Sequence, residues 1–449
     1  MDWKKVGGVS LSALMVVAAF PPLAWWPLAL FAWWPLIWSI DGLEGRTAFR
    51  LGLWHGFLVW AGTLSWLWHL FGPASVGLWL IFALFTAFWA LFYTWGRSWR
   101  PGWRVLAGAV LWVGIEYFRS ELFVLKFPWI TPGTALPPGL LTPICGVYGV
   151  SFLVLLVAGF SQWNRPLAAF CALALGASVL GGRLKSSEES AQELSVALVQ
   201  SESLFYEDYL ERSQVLAGEF DVIVWPEYAL DFDPRHHPKV ERDLAALLRG
   251  KTRLLVFGAR QDEPDGAWRN TSFAYGREGV LGTHVKNHPV HFFDDGVAGE
   301  RAEAVSSPLG GFGMPICFDN DYQDVVRRMT RDGAACFFVP SMDGAHWSAR
   351  EHEQHGMLFR HRAAENGRWM AVASTSGVTQ IIDEHGRVRE RLPLMAEGVL
   401  RGKLELRSGL TFYQRAGWLC GPVFAGAVPL LLAALAWSRY RDRRKQERA

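Results

Sequence analysis

A carboxylate, an ammonium and a thiol each close a short apolar run in this chain: Glu227 in Val-Ile-Val-Trp-Pro-Glu, Lys286 in Leu-Gly-Thr-His-Val-Lys, and Cys317 in Gly-Met-Pro-Ile-Cys. A base that takes a thiol proton, a thiol that attacks a carbonyl and a cation that faces the developing oxyanion are the parts of thiol-based acyl transfer. Taken singly, none is diagnostic. A Cys at a strand end is more often a small buried hydrophobe than a nucleophile, and a lone loop Glu or Lys is usually a solvated charge. Two local features nevertheless favour chemistry. Glu227 follows Pro226 and lies beside Trp225, and apolar surroundings would raise its pKa toward that of a working base. Cys317 stands just before a helix predicted to start near Asp321, whose N-terminus favours thiolate, while the acids that follow it act the other way.

Positioning these groups requires a rigid scaffold, and the pattern around them supplies one. Short β-rich runs predicted at Ser195–Val199, Asp221–Trp225, Arg253–Phe257, Thr271–Tyr275, Val280–Lys286, Gly313–Cys317, Ala335–Val339, Trp369–Ser374, Val378–Asp383 and Val399–Leu404 alternate with helical patterns near 207–217, 238–249 and 349–366. This is an α/β domain. About ten strands exceed one small open sheet, so two stacked sheets flanked by helices are expected. Glu227, Lys286 and Cys317 then fall at or just past strand ends, where α/β sites form.

The rest of the chain reads as membrane. Of its 449 residues 51% are apolar and 24 are Trp, and the charges between residues 9 and 182 are few and isolated. Crossing a hydrocarbon core of about 30 Å takes about 20 residues. Spans are predicted at about 8–24, 26–40, 51–71, 75–96, 104–120, 144–161 and 166–182, with a last one near 416–437. The first is read as an uncleaved helix, because Lys4 and Lys5 lead into Pro21-Pro22 and a further apolar run with no small-residue cleavage site. The domains are therefore drawn as a bundle over 1–184, a polar domain over 185–415, a C-terminal helix over 416–438 and a basic tail over 439–449. Lys4/Lys5, Arg46/Arg50, Arg97/Arg100/Arg104, Arg165 and the tail share one side, the cytoplasm by the positive-inside rule, so the polar domain faces the periplasm. Ser186 to Ser190 reads as a linker. A net charge of +2 gives no footprint for nucleic acid. Of the five cysteines only Cys317 and Cys336 lie in the polar domain, which implies no disulfide framework.

Along nearly its full length the chain resembles the membrane branch of the carbon–nitrogen hydrolase (nitrilase) superfamily, the apolipoprotein N-acyltransferases. The resemblance rests on Val-Ile-Val-Trp-Pro-Glu227, Arg269-Asn270-Thr271-Ser272, Lys286-Asn287-His288, the stretch from Glu353 through Arg368, Ser376-Gly377-Val378 with Asp383 and Gly386-Arg387-Val388, and Thr411 through Gly417. It implies a nitrilase-like αββα sandwich inserted between the seventh and eighth helices of a transmembrane bundle. It also implies a Glu–Lys–Cys triad of Glu227, Lys286 and Cys317. The family pattern has Cys-Tyr-Glu where this chain has Cys317-Phe318-Asp319, and Pro-Phe-Gly-Glu where a gapless count reaches Asp294. Asp294 and Asp319 are thus expected as shortened supporting acids.

The implied activity is transfer of a fatty acyl chain from a phospholipid through a Cys317 thioester to the amine of a diacylglyceryl-cysteine lipoprotein. It would occur at the bacterial inner membrane, with the enzyme as a monomer and with no cofactor. Apolar loop residues, among them Phe292, Phe293 and Trp347, are expected to form a lipid-facing rim. The residues alone also accommodate a membrane-anchored amidase in which water resolves the thioester, an acyltransferase with another amine acceptor, and a non-catalytic lipoprotein-binding scaffold. Two histidine clusters, His284/His288/His291 and His352/His355/His361, raise a metal reading. The spacing of His352-Glu353-Gln354-His355 is one residue short of a zinc-protease helix, so no metal is expected.

Overall fold

The computed structural model describes residues 2–186 and 192–448, so residues 187–190 of the expected linker lie outside the described residues. The chain divides into two compact units, Met1–Gly182 with Ala416–Ala449, and Arg183–Arg415.

Among the described residues, four helical segments are long and apolar enough to cross a membrane: Ala74–Gly96, Thr142–Phe160, Arg165–Leu184 and Gly417–Asp442. The other expected spans take more varied forms. The first is a helix over Trp3–Ala19, which stops before Pro21-Pro22 rather than reaching residue 24. The second is broken into a 3₁₀ turn, Trp26–Leu30, and a short helix, Trp34–Ile40, each with a proline at its start, because Pro27 and Pro35 lack the N–H that would continue a preceding turn. It still runs back along the first helix: Ser12 Oγ donates to the Ala32 carbonyl at 2.6 Å and Lys5 Nζ to that of Trp38 at 2.9 Å. Gly45–Thr63 packs on Ala74–Tyr93 through small residues. A Cβ on Gly56 would sit 2.7 Å from Ala83 Cα and one on Gly52 2.9 Å from Ala87 Cα, so only glycine allows this approach. Between Pro101–Tyr117 and Thr142–Phe160 a π-helical turn, Phe118–Leu122, leads into an irregular segment that is buried over residues 128–136. There the buried guanidinium of Arg119 donates to the carbonyls of Phe127 and Trp129, satisfying backbone that no helix serves.

Among the described residues the second unit contains twelve strands: β1 (Glu193–Gln200), β2 (Val222–Val224), β3 (Leu254–Asp262), β4 (Trp268–Gly276), β5 (Gly279–Val285), β6 (Val305–Ser307), β7 (Gly310–Gly313), β8 (Cys336–Ser341), β9 (Trp369–Ser374), β10 (Gln380–Ile382), β11 (Val388–Arg391) and β12 (Gly398–Glu405). They form two six-stranded sheets, ordered β12-β1-β2-β3-β4-β5 and β11-β10-β9-β8-β7-β6. Successive residues of a strand point to opposite faces, and β1 shows the result: Val196 and Leu198 enter the core between the sheets, Ala197 and Val199 the core beneath the helices. The central core joins Val224 and Val256 of one sheet to Phe312, Phe338, Ala371 and Ile381 of the other. Helices Tyr206–Gln214 and Pro238–Leu247 cover the first sheet through Tyr209, Leu244 and Leu247. Asp324–Arg331 and Ala349–Asn366 cover the second through Val325, Met329 and Phe359. The layers are αββα.

One strand differs from the expectation in a way that matters for the site. The run predicted at Gly313–Cys317 leaves the sheet at Gly313, and Cys317 opens a separate 3₁₀ turn, Cys317–Asn320. Pro315 lies in the gap and has no N–H to offer a ladder.

Candidate active site

The parallel pairs β1–β2, β2–β3, β7–β8 and β8–β9 send their chain directions to one end of the sandwich, and the three residues collect there. Glu227 follows β2 after Trp225-Pro226. Its backbone packs against Gly258 of β3, where an added Cβ would lie 2.5 Å from Glu227 Cα. Lys286 directly follows β5, its backbone N–H donating to the Asn270 carbonyl of β4 at 2.9 Å. Cys317 adopts φ 44°, a left-handed conformation that is strained for a side-chain-bearing residue. Such strain, of order 1–3 kcal/mol, persists where the surroundings over-determine the geometry. Here Asp319 supplies the constraint, its Oδ2 accepting from the Ile316 N–H at 3.1 Å.

Glu227 and Lys286 are buried and joined, Nζ to Oε1 at 2.8 Å. Asn270 Nδ2 lies 2.6 Å from the same oxygen. The other carboxylate oxygen, Oε2, is buried and has no protein partner among the described residues, which leaves it the oxygen open to a proton. Burial raises the Glu227 pKa above the ordinary carboxylate value, and the Lys286 ammonium only partly opposes this. Burial acts on Lys286 to favour the neutral amine, yet Asp295 and Glu227 outweigh it and hold the side chain firmly charged. For Cys317, burial and then the Glu227 carboxylate push the thiol well above its ordinary value, with Lys286 opposing; its Sγ donates to the Met342 carbonyl at 3.6 Å. The resting group is therefore a thiol. The turn that it opens is four residues of 3₁₀ helix, so the sulfur does not sit at the N-terminus of the thiolate-favouring helix expected from sequence, and burial dominates.

The supporting acids are rearranged relative to the gapless count. Asp294 is exposed, and its neighbour Asp295 turns inward to Lys286 Nζ at 2.7 Å. Asp295 also accepts from the Val290 N–H at 2.7 Å, from Asn270 Nδ2 at 2.8 Å and from the Tyr228 hydroxyl. The inward turn of Asp295 has a physical cause: the loop from His291 to Asp294 runs outward, with Phe292 at φ 68°, and the chain reaches back only at Asp295. Asp319 contacts neither the sulfur nor Lys286. It accepts from the N–H groups of Asn287 and His288, both at 2.9 Å, and pairs with His284 Nε2 at 2.9 Å, tying the lysine loop to the cysteine turn.

Phe292 is 64% exposed and Phe293 41%, and Phe293 packs on the buried Trp347 with ring centroids 5.5 Å apart. Among the described residues the histidines do not gather into a shared ligand set of their own. His288 pairs with Asp324 at 2.8 Å, His352 with the Gly344 carbonyl at 3.0 Å, and His355 Nδ1 with Asp343 Oδ1 at 2.7 Å. Cys317, Asp343 and His355 each bring a potential ligand atom within 4.8 Å of the others. Asp295, Tyr228 and Asp343 were not singled out from sequence, and His355 only as one of a histidine cluster with a metal reading. The Asp294-Asp295 doublet was the available signal, but counting residues cannot tell which of two adjacent acids turns inward.

Residues 12–160 match the apolipoprotein N-acyltransferase N-terminal domain, and residues 175–409 match the carbon-nitrogen hydrolase domain. The apolipoprotein N-acyltransferase of Pseudomonas aeruginosa (strain LESB58) is 30% identical over 502 residues, covering 96% of this chain and 94% of its own. That of Geobacter metallireducens is 28% identical with the same two coverages, and that of Shewanella oneidensis 26% identical, covering 94% of this chain and 96% of its own. With both halves matched and relatives aligned nearly end to end, the chain belongs to the apolipoprotein N-acyltransferase family, within the carbon–nitrogen hydrolase superfamily.

Proposed function

We propose that this protein transfers a fatty acyl chain from a membrane phospholipid to the N-terminal amine of a diacylglyceryl-cysteine lipoprotein, with Cys317 as nucleophile, Glu227 as base and Lys286 as oxyanion-facing cation. The observation that carries the reading is the buried Glu227–Lys286 pair beside a protonated Cys317, with Oε2 left open to receive a proton. In the first half-reaction the Cys317 proton passes to Glu227 as sulfur bonds to the ester carbonyl carbon. The oxyanion faces Lys286, the C–O bond breaks, and Glu227 returns the proton to the departing lysophospholipid. In the second, the amine bonds to the thioester carbon and gives a proton to Glu227, the C–S bond breaks, and Glu227 passes that proton to the departing sulfur, which restores the thiol and the carboxylate.

The four long apolar segments support a membrane enzyme whose donor and acceptor share its surface, which raises their effective concentration. We further propose that the chain resides in the bacterial inner membrane with residues 185–415 on the periplasmic side, as the basic loops imply. The test is to give the purified protein phospholipid and a diacylated lipopeptide and to identify every acylated product by mass spectrometry. A Cys317 thioester followed by N-acylated peptide is expected. Free fatty acid without peptide acylation would instead mark an amidase-like hydrolase, and a Cys317→Ala protein that still acylates would end the proposed mechanism.

A further inference from the structure

The helix Ala349–Asn366 carries a histidine that the triad does not use. His355 is buried, as are Asp343, Asp321 and Glu351 around it. Its Nδ1 donates to Asp343 Oδ1 at 2.7 Å and its Nε2 lies 3.4 Å from Asp321 Oδ1. Asp321 belongs to the turn that follows Cys317, and Asp343 to the segment that follows β8, next to the Met342 carbonyl that receives the Cys317 thiol. His355 thus bridges the two segments that flank the sulfur. Asp343 is held in place from the far side: Ser374 Oγ lies 3.3 Å from its Oδ2, Thr375 Oγ1 donates to its carbonyl at 3.0 Å, and a Cβ on Gly377 would lie 2.0 Å from Oδ2.

We propose that His355 is a positioning residue for acyl transfer: its imidazolium neutralises the Asp343 carboxylate that stands beside the Cys317 sulfur, and so sets how readily the sulfur carries negative charge. Burial, Glu227 and Asp343 disfavour the thiolate, and Lys286 favours it. Asp343 and Asp321 hold His355 protonated well above an ordinary histidine, although burial acts the other way. Burial and then Asp343 push the Glu351 carboxyl well above its ordinary value, toward the neutral form. His352 offers its Nε2 to the Gly344 carbonyl and contributes a further favourable interaction to Asp343. An uncompensated carboxylate at Asp343 would oppose each step in which sulfur becomes anionic, namely attack on the ester and departure from the thioester.

The test reads the sulfur directly. Cys317 alkylation by iodoacetamide is followed against pH by peptide mass in the full-length protein, with Cys317→Ala as the blank for the other cysteines. His355→Gln should move the profile to higher pH and slow alkylation at neutral pH by on the order of tenfold, since one unit charge about 5 Å away acts strongly on a buried anion. Asp343→Asn should move the profile to lower pH, because Asp321 keeps the imidazolium charged. The double variant should return to within about threefold of the wild type, the charge effects cancelling.

Shifts of both single variants in one direction, or a double variant as impaired as the two singles combined, would overturn the proposal and leave His355 a purely structural clamp. Should His355→Gln fail to fold, the downward shift of Asp343→Asn and the near-wild-type double variant still decide. The inference rests on the proposed function for its meaning in turnover, but alkylation needs no acyl donor. Opposite shifts in a protein that acylates nothing would sink that function and keep this charge relation.

Discussion

Replacing Asp295 with Asn removes one of the two carboxylates that hold Lys286 while keeping nearly the same shape. Glu227 Oε1 and Asp295 Oδ2 sit 2.8 and 2.7 Å from the shared ammonium. The two acids are thus no more than about 5.5 Å apart, and at an effective dielectric of about 20 their mutual repulsion is worth about 3 kcal/mol. That repulsion raises the proton affinity of Glu227. Without it Glu227 pairs more tightly with Lys286 and becomes a weaker base. Thioester formation should slow by about tenfold to a hundredfold, at roughly 1.4 kcal/mol per decade, and the acid limb of the rate profile should move to lower pH. Asp294→Asn, on the exposed neighbour, should stay within about twofold, as surface substitutions usually do. The assay is the rate at which the Cys317 acyl-enzyme mass appears after mixing with phospholipid, across pH. A normal rate in Asp295→Asn together with a large loss in Asp294→Asn would refute the geometry. A slowed Asp295→Asn whose acid limb moves upward would refute the electrostatic argument.

Other perturbations test other parts. Gly258→Ala should displace Glu227, since the new methyl would meet its backbone at 2.5 Å; acylation should fall by at least about tenfold while the protein stays folded, checked by acyl-enzyme mass beside a thermal melt. Phe292→Ser with Phe293→Ser should raise the KM for phospholipid severalfold and leave the iodoacetamide rate of Cys317 unchanged, because both rings are exposed while the sulfur is buried. Asp221 tests stability away from the site. Burial alone would raise its pKa, but hydrogen bonds from Ser195 and Lys251 hold it below the ordinary value. Its contribution to stability is therefore present above the unfolded carboxylate range, about pH 4, and is lost as pH falls through the lower folded value. Asp221→Asn should accordingly lower the thermal midpoint at pH 7 and narrow the gap to wild type at strongly acid pH, with acylation unchanged.

Much of this architecture was legible in one dimension. Alternation such as Val196/Leu198 against Ala197/Val199 marks a strand because successive side chains must point to opposite faces, and long uncharged runs mark membrane helices because a hydrocarbon core tolerates little else. Glu227, Lys286 and Cys317 were legible as residue types closing apolar runs. Register and local breaks were less so. The ten expected strands became twelve, and the strand expected to end in Cys317 stops at Gly313, since a single proline interrupts a ladder without changing the hydrophobic pattern. The span at 26–40 is likewise apolar enough to be read as continuous, yet Pro27 and Pro35 divide it.

The choice between Asp294 and Asp295, the charge on the Cys317 sulfur and the engagement of His355 with Asp343 belonged to the tertiary structure alone. Each depends on which groups from distant segments meet in a water-poor site. Burial and Coulomb interactions there act over a few ångströms of space, and distance along the chain carries no record of them. The pattern of residue types therefore pointed to a chemistry, whereas the packing of β2, β5, β7 and β8 around one end of the sandwich decided which acid holds the lysine and how deeply the Cys317 thiol is buried.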